Sequence, residues 1–274
     1  MNRKRLASVL TLGLVGLVLA AADPAAAATS VTDRYIGNVS NILLAVALPI
    51  TIIVEGVLFY AIWKFRKADE AKPTKENRRL ELTWTAATAV VLLFVGLAAY
   101  SAMGSPYVMG STDQYQQMMD NPDTTVVHVD SYQWSWQFHY QYEGTNFTSS
   151  KLVLPADKQV VLRITSRDVL HSVHIPALSL KKDAFPGRTT YIATEINSNA
   201  VRDTPYVLYC AEYCGAGHSN MLADVVVKSP SDYEDWASQQ AQQAQSDSSG
   251  SSSSGNASSG NASSASLAAP AASA

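Results

Sequence analysis

Apolar residues follow three different rhythms along this chain. Up to Met103 they fall in long, nearly unbroken runs; from Thr124 to Ser229 they alternate with polar residues; residues 240–274 are almost entirely Ser, Ala, Gly, Asn and Gln. Two of the long runs, Ile42 to Trp63 and Leu82 to Met103, hold 22 residues each. As helices each reaches roughly 33 Å, enough for a hydrocarbon core of ~30 Å. The short polar loop between them makes the pair an antiparallel membrane hairpin, expected over residues 29–103. The alternating region reads as short strands, among them "TTVVHVDSYQWSWQFHYQY", "KQVVLRITS", "TTYIATEI", "YVLYC" and "LADVVVK". Several short strands separated by Pro, Gly, Asn and Asp predict an all-β sandwich or barrel, placed over residues 124–239 behind a connector at 104–123. Ser231 is expected to cap a short helix after the last strand.

The first run, Leu6 to Ala22, follows Arg3, Lys4 and Arg5 and precedes Pro24 and an A-x-A pattern. That arrangement predicts a signal peptide over residues 1–28, cleaved near Ala28. The loop between the two spans carries Lys64, Arg66, Lys67, Lys72, Lys75, Arg78 and Arg79. The positive-inside bias places it in the cytoplasm and everything beyond Met103 outside. The expected location is the plasma membrane of a prokaryote. Glu55 falls midway along the first span, where an ionisable group is costly and faces protein or internal water rather than lipid. The tail at 240–274 cannot bury a core and is expected to be disordered. With a net charge of −3, no nucleic-acid partner is expected.

Candidate chemistry gathers in "YCAEYCGAGHSNM", Tyr209 to Met221, which holds both cysteines of the chain. Cys210, Cys214, His218 and Met221 stand four, four and three residues apart. That spacing also fits one helix face, but Gly215 and Gly217 interrupt it and strands flank it, so a loop between strands is expected. A disulfide is compatible with an oxidising compartment, and zinc could take two Cys and two His. Neither uses the methionine. Thiolate, thioether and imidazole together point to copper, and two neighbouring thiolates could bridge two ions. A second histidine must then come from His128, His139, His171 or His174, and spacing leaves that choice open.

The strings "DVLHS", "DAFPGR" and "CAEYCGAGHSNM" resemble subunit II of haem-copper cytochrome c oxidases. The resemblance runs from the membrane hairpin to the terminal helix. It implies a cupredoxin-like domain carrying the dinuclear copper centre called CuA. The implied ligands are His171, Cys210, the backbone carbonyl of Glu212, Cys214, His218 and Met221. His174 falls where the family usually has an aromatic residue and is left outside that set. By the same resemblance, the Glu212 side chain helps hold magnesium at the interface with subunit I. Trp134, in "SYQWSWQFHYQY", is the surface port for electrons, and Glu81, in "LELTW", stands at the mouth of a proton path into subunit I.

Two departures bear on the donor. Ser135 replaces an aromatic residue, and "EGTNFTSSK" keeps Glu143 but lacks the acidic cluster that docks a basic cytochrome c; Asp168 and Asp183 remain as docking acids. Little electrostatic steering is expected, so the expected donor is a cytochrome c that is neutral, acidic or tethered, or a small copper protein. There is no C-x-x-C-H motif, so no haem is expected in this chain. The helix beginning near Glu81 also lacks a proline that many relatives carry. The resulting expectation is an electron-accepting subunit that serves haem and copper in another chain, where oxygen is reduced with proton translocation. It is an enzyme only as part of that complex. The rivals are a CuA subunit of a nitric oxide reductase and a copper-carrying assembly module.

Overall fold

The computed structural model describes residues 28–68, 70, 73 and 75–251. Apart from Ala28, the expected signal peptide lies outside the described residues, as do residues 252–274 of the tail.

Two helices, Val31–Phe65 and Arg78–Met103, are long and apolar enough to cross a membrane. Both exceed the apolar runs at 42–63 and 82–103, and their caps explain why. Ser30 accepts a hydrogen bond from the Asp33 N–H, so the polar residues 31–41 stay helical. Asn77 accepts from Leu80 N–H and starts the second helix four residues before its apolar stretch. A side-chain cap is worth ~1 kcal/mol, which hydropathy does not register. Apolar side chains point outward along both helices, with Ile53 64% and Leu92 69% exposed, as lipid-facing or partner-facing surfaces require. Glu55 lies within the first helix and Glu81 in the first turn of the second.

The outer domain has ten strands: β1 Thr125–Tyr132, β2 Ser135–Tyr142, β3 Thr145–Ser149, β4 Leu152–Pro155, β5 Gln159–Ser166, β6 His171–Ile175, β7 Leu180–Ala184, β8 Thr190–Glu195, β9 Tyr206–Cys210 and β10 Leu222–Lys228. They form two five-stranded sheets, ordered β3-β2-β1-β5-β8 and β4-β10-β9-β6-β7. The pairs β1/β5 and β4/β10 are parallel and the others antiparallel. This is a cupredoxin-like sandwich behind a two-helix membrane hairpin. Alternation sets the register: Trp136, Phe138 and Tyr140 on β2 are buried, while the residues between them lie nearer the surface. A one-residue slip would turn Phe138 to water, at a cost of roughly 1.5–3 kcal/mol for that ring alone. The Tyr140 hydroxyl accepts from Val153 N–H at 2.7 Å and so ties β2 to β4 across the core.

The connector proved more ordered than its composition suggests. Pro106–Met109 and Thr112–Met119 are short helices, the second opened by a capping box between Ser111 and Gln114. Tyr115 is buried and stacks on Tyr191 of β8 at 5.1 Å. The terminal helix runs Pro230–Ser251, well into the segment expected to be disordered. Its cap is Ser229, which accepts from Asp232 N–H, rather than Ser231; Pro230 then takes the first helical position, where its missing N–H costs nothing. Trp236 of this helix packs edge-on against Tyr140 and Phe147, which holds it on the sandwich.

The chain ahead of the first span is also sewn to this domain. Ala28 is buried, and its carbonyl accepts from the Asn197 side chain at 2.7 Å. Ser30 pairs with Ile196 and donates its hydroxyl to the Leu178 carbonyl at 2.8 Å. Asp33 accepts from the Ser179 hydroxyl at 2.9 Å. Membrane hairpin and sandwich are thereby joined at both ends of the hairpin.

Candidate metal centre

The segment Tyr209 to Met221 is a loop between strands, as its glycines suggest. Cys210 ends β9, His218 opens a single 3₁₀ turn, and Met221 immediately precedes β10. Cys210 N–H donates to the Met221 carbonyl at 3.1 Å, closing the loop at its base. Beside it, β6 pairs with β9, setting Val173 against Cys210 and bringing His171, the first residue of β6, to the same end of the sheet.

The donor atoms converge. Cys210 and Cys214 are free thiols with their Sγ atoms 3.8 Å apart, well beyond the ~2.05 Å of a disulfide. His171 Nδ1 is 3.7 Å from Cys210 Sγ, and His218 Nδ1 is 3.6 Å from Cys214 Sγ. Met221 Sδ is 3.8 Å from Cys214 Sγ, and the Glu212 carbonyl is 3.2 Å from Cys210 Sγ. Two donors each about 2.0–2.3 Å from one ion at a tetrahedral angle stand roughly 3.3–3.8 Å apart, so the spacings suit shared first-row metal ions. His171, Cys210, Cys214 and Met221 are all buried. The set is soft, with two thiols, a thioether and two imidazoles, and it fits copper better than zinc.

Burial and the adjoining Cys210 thiol push the Cys214 pKa up to about 11. Without a cation Cys214 therefore stays a thiol at neutral pH, so a metal bound by its sulfur would displace a proton. His171 is oriented from behind: its Nε2 lies 2.9 Å from Asp168 Oδ1, which leaves Nδ1 facing the cysteines. Such carboxylate–histidine pairs are a usual outer layer of metal sites.

Trp134 stands apart from its strand. Two residues before Trp136, Trp134 would share its buried face if β2 extended that far, but it sits in the β1–β2 turn and is 42% exposed. Its indole N–H donates to the Cys214 carbonyl at 3.2 Å. The ring lies against Gly217, where an added Cβ would fall 2.4 Å from Trp134 Cδ2. The sequence offered only one hint of this close approach, the two glycines of the copper-type loop.

The remaining candidates lie elsewhere. His174 packs edge-on against Tyr209 at 4.8 Å and lines an open cleft with Lys181, His218 and Ser219. His128 and His139 face each other across β1 and β2 on the outer face of the first sheet. The Glu212 side chain is partly exposed, 3.8 Å from Lys181 Nζ. Gln133, which was not singled out from sequence, donates its side-chain amide to the Cys214 carbonyl at 2.8 Å.

The family model described as cytochrome C oxidase subunit II, periplasmic domain, matches residues 111–229. That described as the transmembrane domain of the same subunit matches residues 23–102. Cytochrome c oxidase subunit 2 of Cereibacter sphaeroides is 28% identical over 236 residues, covering 72% of this chain and 73% of that protein. The protein of the same name from Alkalihalophilus pseudofirmus is 32% identical over 239 residues, covering 84% of this chain and 65% of that one. Among solved structures, the periplasmic domain of subunit II of cytochrome oxidase from Bradyrhizobium japonicum is 22% identical, with a TM-score of 0.39, covering 43% of this chain and 94% of that chain. Hairpin and sandwich are thus both matched, in the order in which they occur here, and the chain belongs to the cytochrome c oxidase subunit II family, as one subunit of a haem-copper oxidoreductase complex.

Proposed function

We propose that this chain is the electron-accepting subunit of a respiratory cytochrome c oxidase. Its CuA centre of two copper ions is held by His171, Cys210, the Glu212 carbonyl, Cys214, His218 and Met221. The observation that carries this reading is the paired donor set: two thiols 3.8 Å apart, each facing its own imidazole. When bound, the copper pair supplies a one-electron couple shared between two ions, so little rearrangement accompanies transfer.

The protein's own residues prepare that exchange. The loop between β9 and β10 and the end of β6 hold the donors in place before the metal arrives, and burial excludes water from the thiols. Trp134 offers a donor an exposed ring joined to a ligand by one hydrogen bond. Val169 and Tyr213, in the segments that carry Asp168 and Cys214, are 37% and 81% exposed, while Asp168 is committed to His171 and Gln133. Docking there rests on apolar contact more than on charge, which suits a cytochrome c or small copper protein without a strongly basic face.

Electrons pass onward to haem in subunit I, where oxygen is reduced to water with proton translocation. The Glu212 carboxylate, partly exposed beside Lys181, would help hold a magnesium ion at the interface with that subunit. Glu81, at the cytoplasmic end of the second span, stands at the mouth of a proton path in the partner. The outer domain lies on the periplasmic or extracellular side of a prokaryotic plasma membrane, after removal of residues up to about 28.

The test is copper content and electron paramagnetic resonance on the full chain purified in detergent and loaded with copper. Two coppers per chain sharing one unpaired electron support the reading. One copper with an isolated single-ion signal, or two coppers that do not cycle with a donor, favour a copper-carrying module instead.

A further inference from the structure

We propose that Gln133 is a positioning residue that seats Trp134 on the metal loop and raises the electron affinity of the centre, acting through the Cys214 carbonyl. This rests on the CuA reading above and assigns a role to a residue that the reading leaves idle.

Three contacts carry it. The Gln133 Nε2 amide donates to Cys214 O at 2.8 Å, and Trp134 Nε1 donates to the same oxygen at 3.2 Å. A carbonyl has two lone pairs, so these donors saturate it between them. The backbone N–H of Gln133 also donates to Asp168 Oδ2 at 2.7 Å, and the other oxygen of that carboxylate holds His171. One residue therefore touches both the carboxylate behind His171 and the backbone of Cys214.

The surroundings make room for this arrangement. Gly215, at φ +118°, takes a conformation open chiefly to glycine, and a Cβ there would fall 3.1 Å from Gln133 Nε2. Gln133 is itself exposed, so its amide could be satisfied by water; no buried polar requirement turns it inward. Its chemical consequence follows from the direction of the bond. Both N–H dipoles turn their positive ends onto the residue that carries the Cys214 sulfur, and oriented side-chain dipoles add to the local field. A more positive potential at the centre favours its reduced form.

The experiment uses the assembled, copper-loaded oxidase in wild-type form and with Gln133→Leu or Gln133→Glu. Leu keeps the bulk and removes the donor; Glu keeps the shape and replaces the donor with an acceptor. Copper content and paramagnetic resonance are recorded first, then the reduction potential of the centre, then the rate of its reduction by the donor. The expected result is intact copper in both variants, with the redox equilibrium moved about threefold toward the oxidised form in Gln133→Leu and further in Gln133→Glu. Donor reduction should slow about tenfold in both. Unchanged potentials with intact copper overturn the proposal, and loss of copper from both variants overturns it in favour of a purely structural role. A wild-type complex without the dinuclear signature sinks the CuA reading as well, which separates the two failures.

Discussion

Asp168 Oδ1 lies 2.9 Å from His171 Nε2, and that contact decides which nitrogen of the imidazole faces the cysteines. Burial works to raise the Asp168 pKa, but the Gln133 N–H, His171 and the Val169 N–H outweigh it, so the carboxyl is held below its ordinary value. The group behind the ligand is thus an ionised acceptor across the neutral range. Replacing it with Asn removes the charge and should weaken copper binding about 10–100-fold, read by competition with a chelator of known affinity. Wild-type affinity in the Asn variant would show that packing alone orients His171.

Gly217 is the floor on which Trp134 lies. Gly217→Ala would place a Cβ 2.4 Å from Trp134 Cδ2 and 2.6 Å from its Cγ, so the indole must move. Copper content should be kept while reduction by the donor slows by about tenfold or more, measured by rapid mixing. An unaltered rate would remove Trp134 from the electron path.

Met221 has no exposed surface, and its Sδ is 3.8 Å from Cys214 Sγ. Met221→Leu conserves volume and should cost under about 1.5 kcal/mol of stability. The thioether donor is lost, so the visible spectrum and potential of the copper-loaded protein should both change. A variant spectroscopically identical to wild type would exclude Met221 from the ligand set.

His128 gives the outer sheet a pH dependence. Its pKa is lowered from 6.5 by burial first, then by His139, Arg163 and Arg167, with Asp130 opposing. The folded state then binds fewer protons than the unfolded one, so the contribution to stability is present above pH about 6.5 and lost as pH falls below it. Thermal unfolding between pH 7 and 5 should show a decline that is smaller in His128→Gln. Parallel declines in the two proteins would place the effect on other groups.

Asn197 clasps the segment ahead of the first span. Its amide donates to the Ala28 carbonyl, and its backbone N–H donates to the Thr29 carbonyl. In purified chain that retains Ala28, Asn197→Ala removes the first of these bonds, worth about 1 kcal/mol, and should hasten proteolysis at residues 28–33 without altering copper content. Equal cleavage rates would show that Ser30 and Asp33 suffice to hold the segment.

Local pattern made much of this legible. Unbroken apolar runs mark spans because lipid offers no partner for polar groups, and period-two alternation marks β2 because one face must be buried. Where the pattern misled, capping or tertiary packing had intervened. Helix at residues 31–41 depends on the Ser30 cap and on docking against β8, and the terminal helix persists past residue 240 where its earlier turns are anchored by Trp236 on Tyr140 and Phe147. Trp134 lies off the buried face of β2 because the β1–β2 turn begins one residue before it.

The sequence by itself determined that the chain has a membrane hairpin, a β sandwich and a loop carrying two thiols, an imidazole and a thioether, since each depends on residues close together in the chain. Only the tertiary structure set His171 against Cys210, laid Trp134 on Gly217 and turned the Gln133 amide onto the Cys214 carbonyl. Those contacts join residues 39, 83 and 81 positions apart. No local periodicity records such distances; they exist because strand pairing and the packing of two sheets bring β6, the β1–β2 turn and the β9–β10 loop to one end of the sandwich.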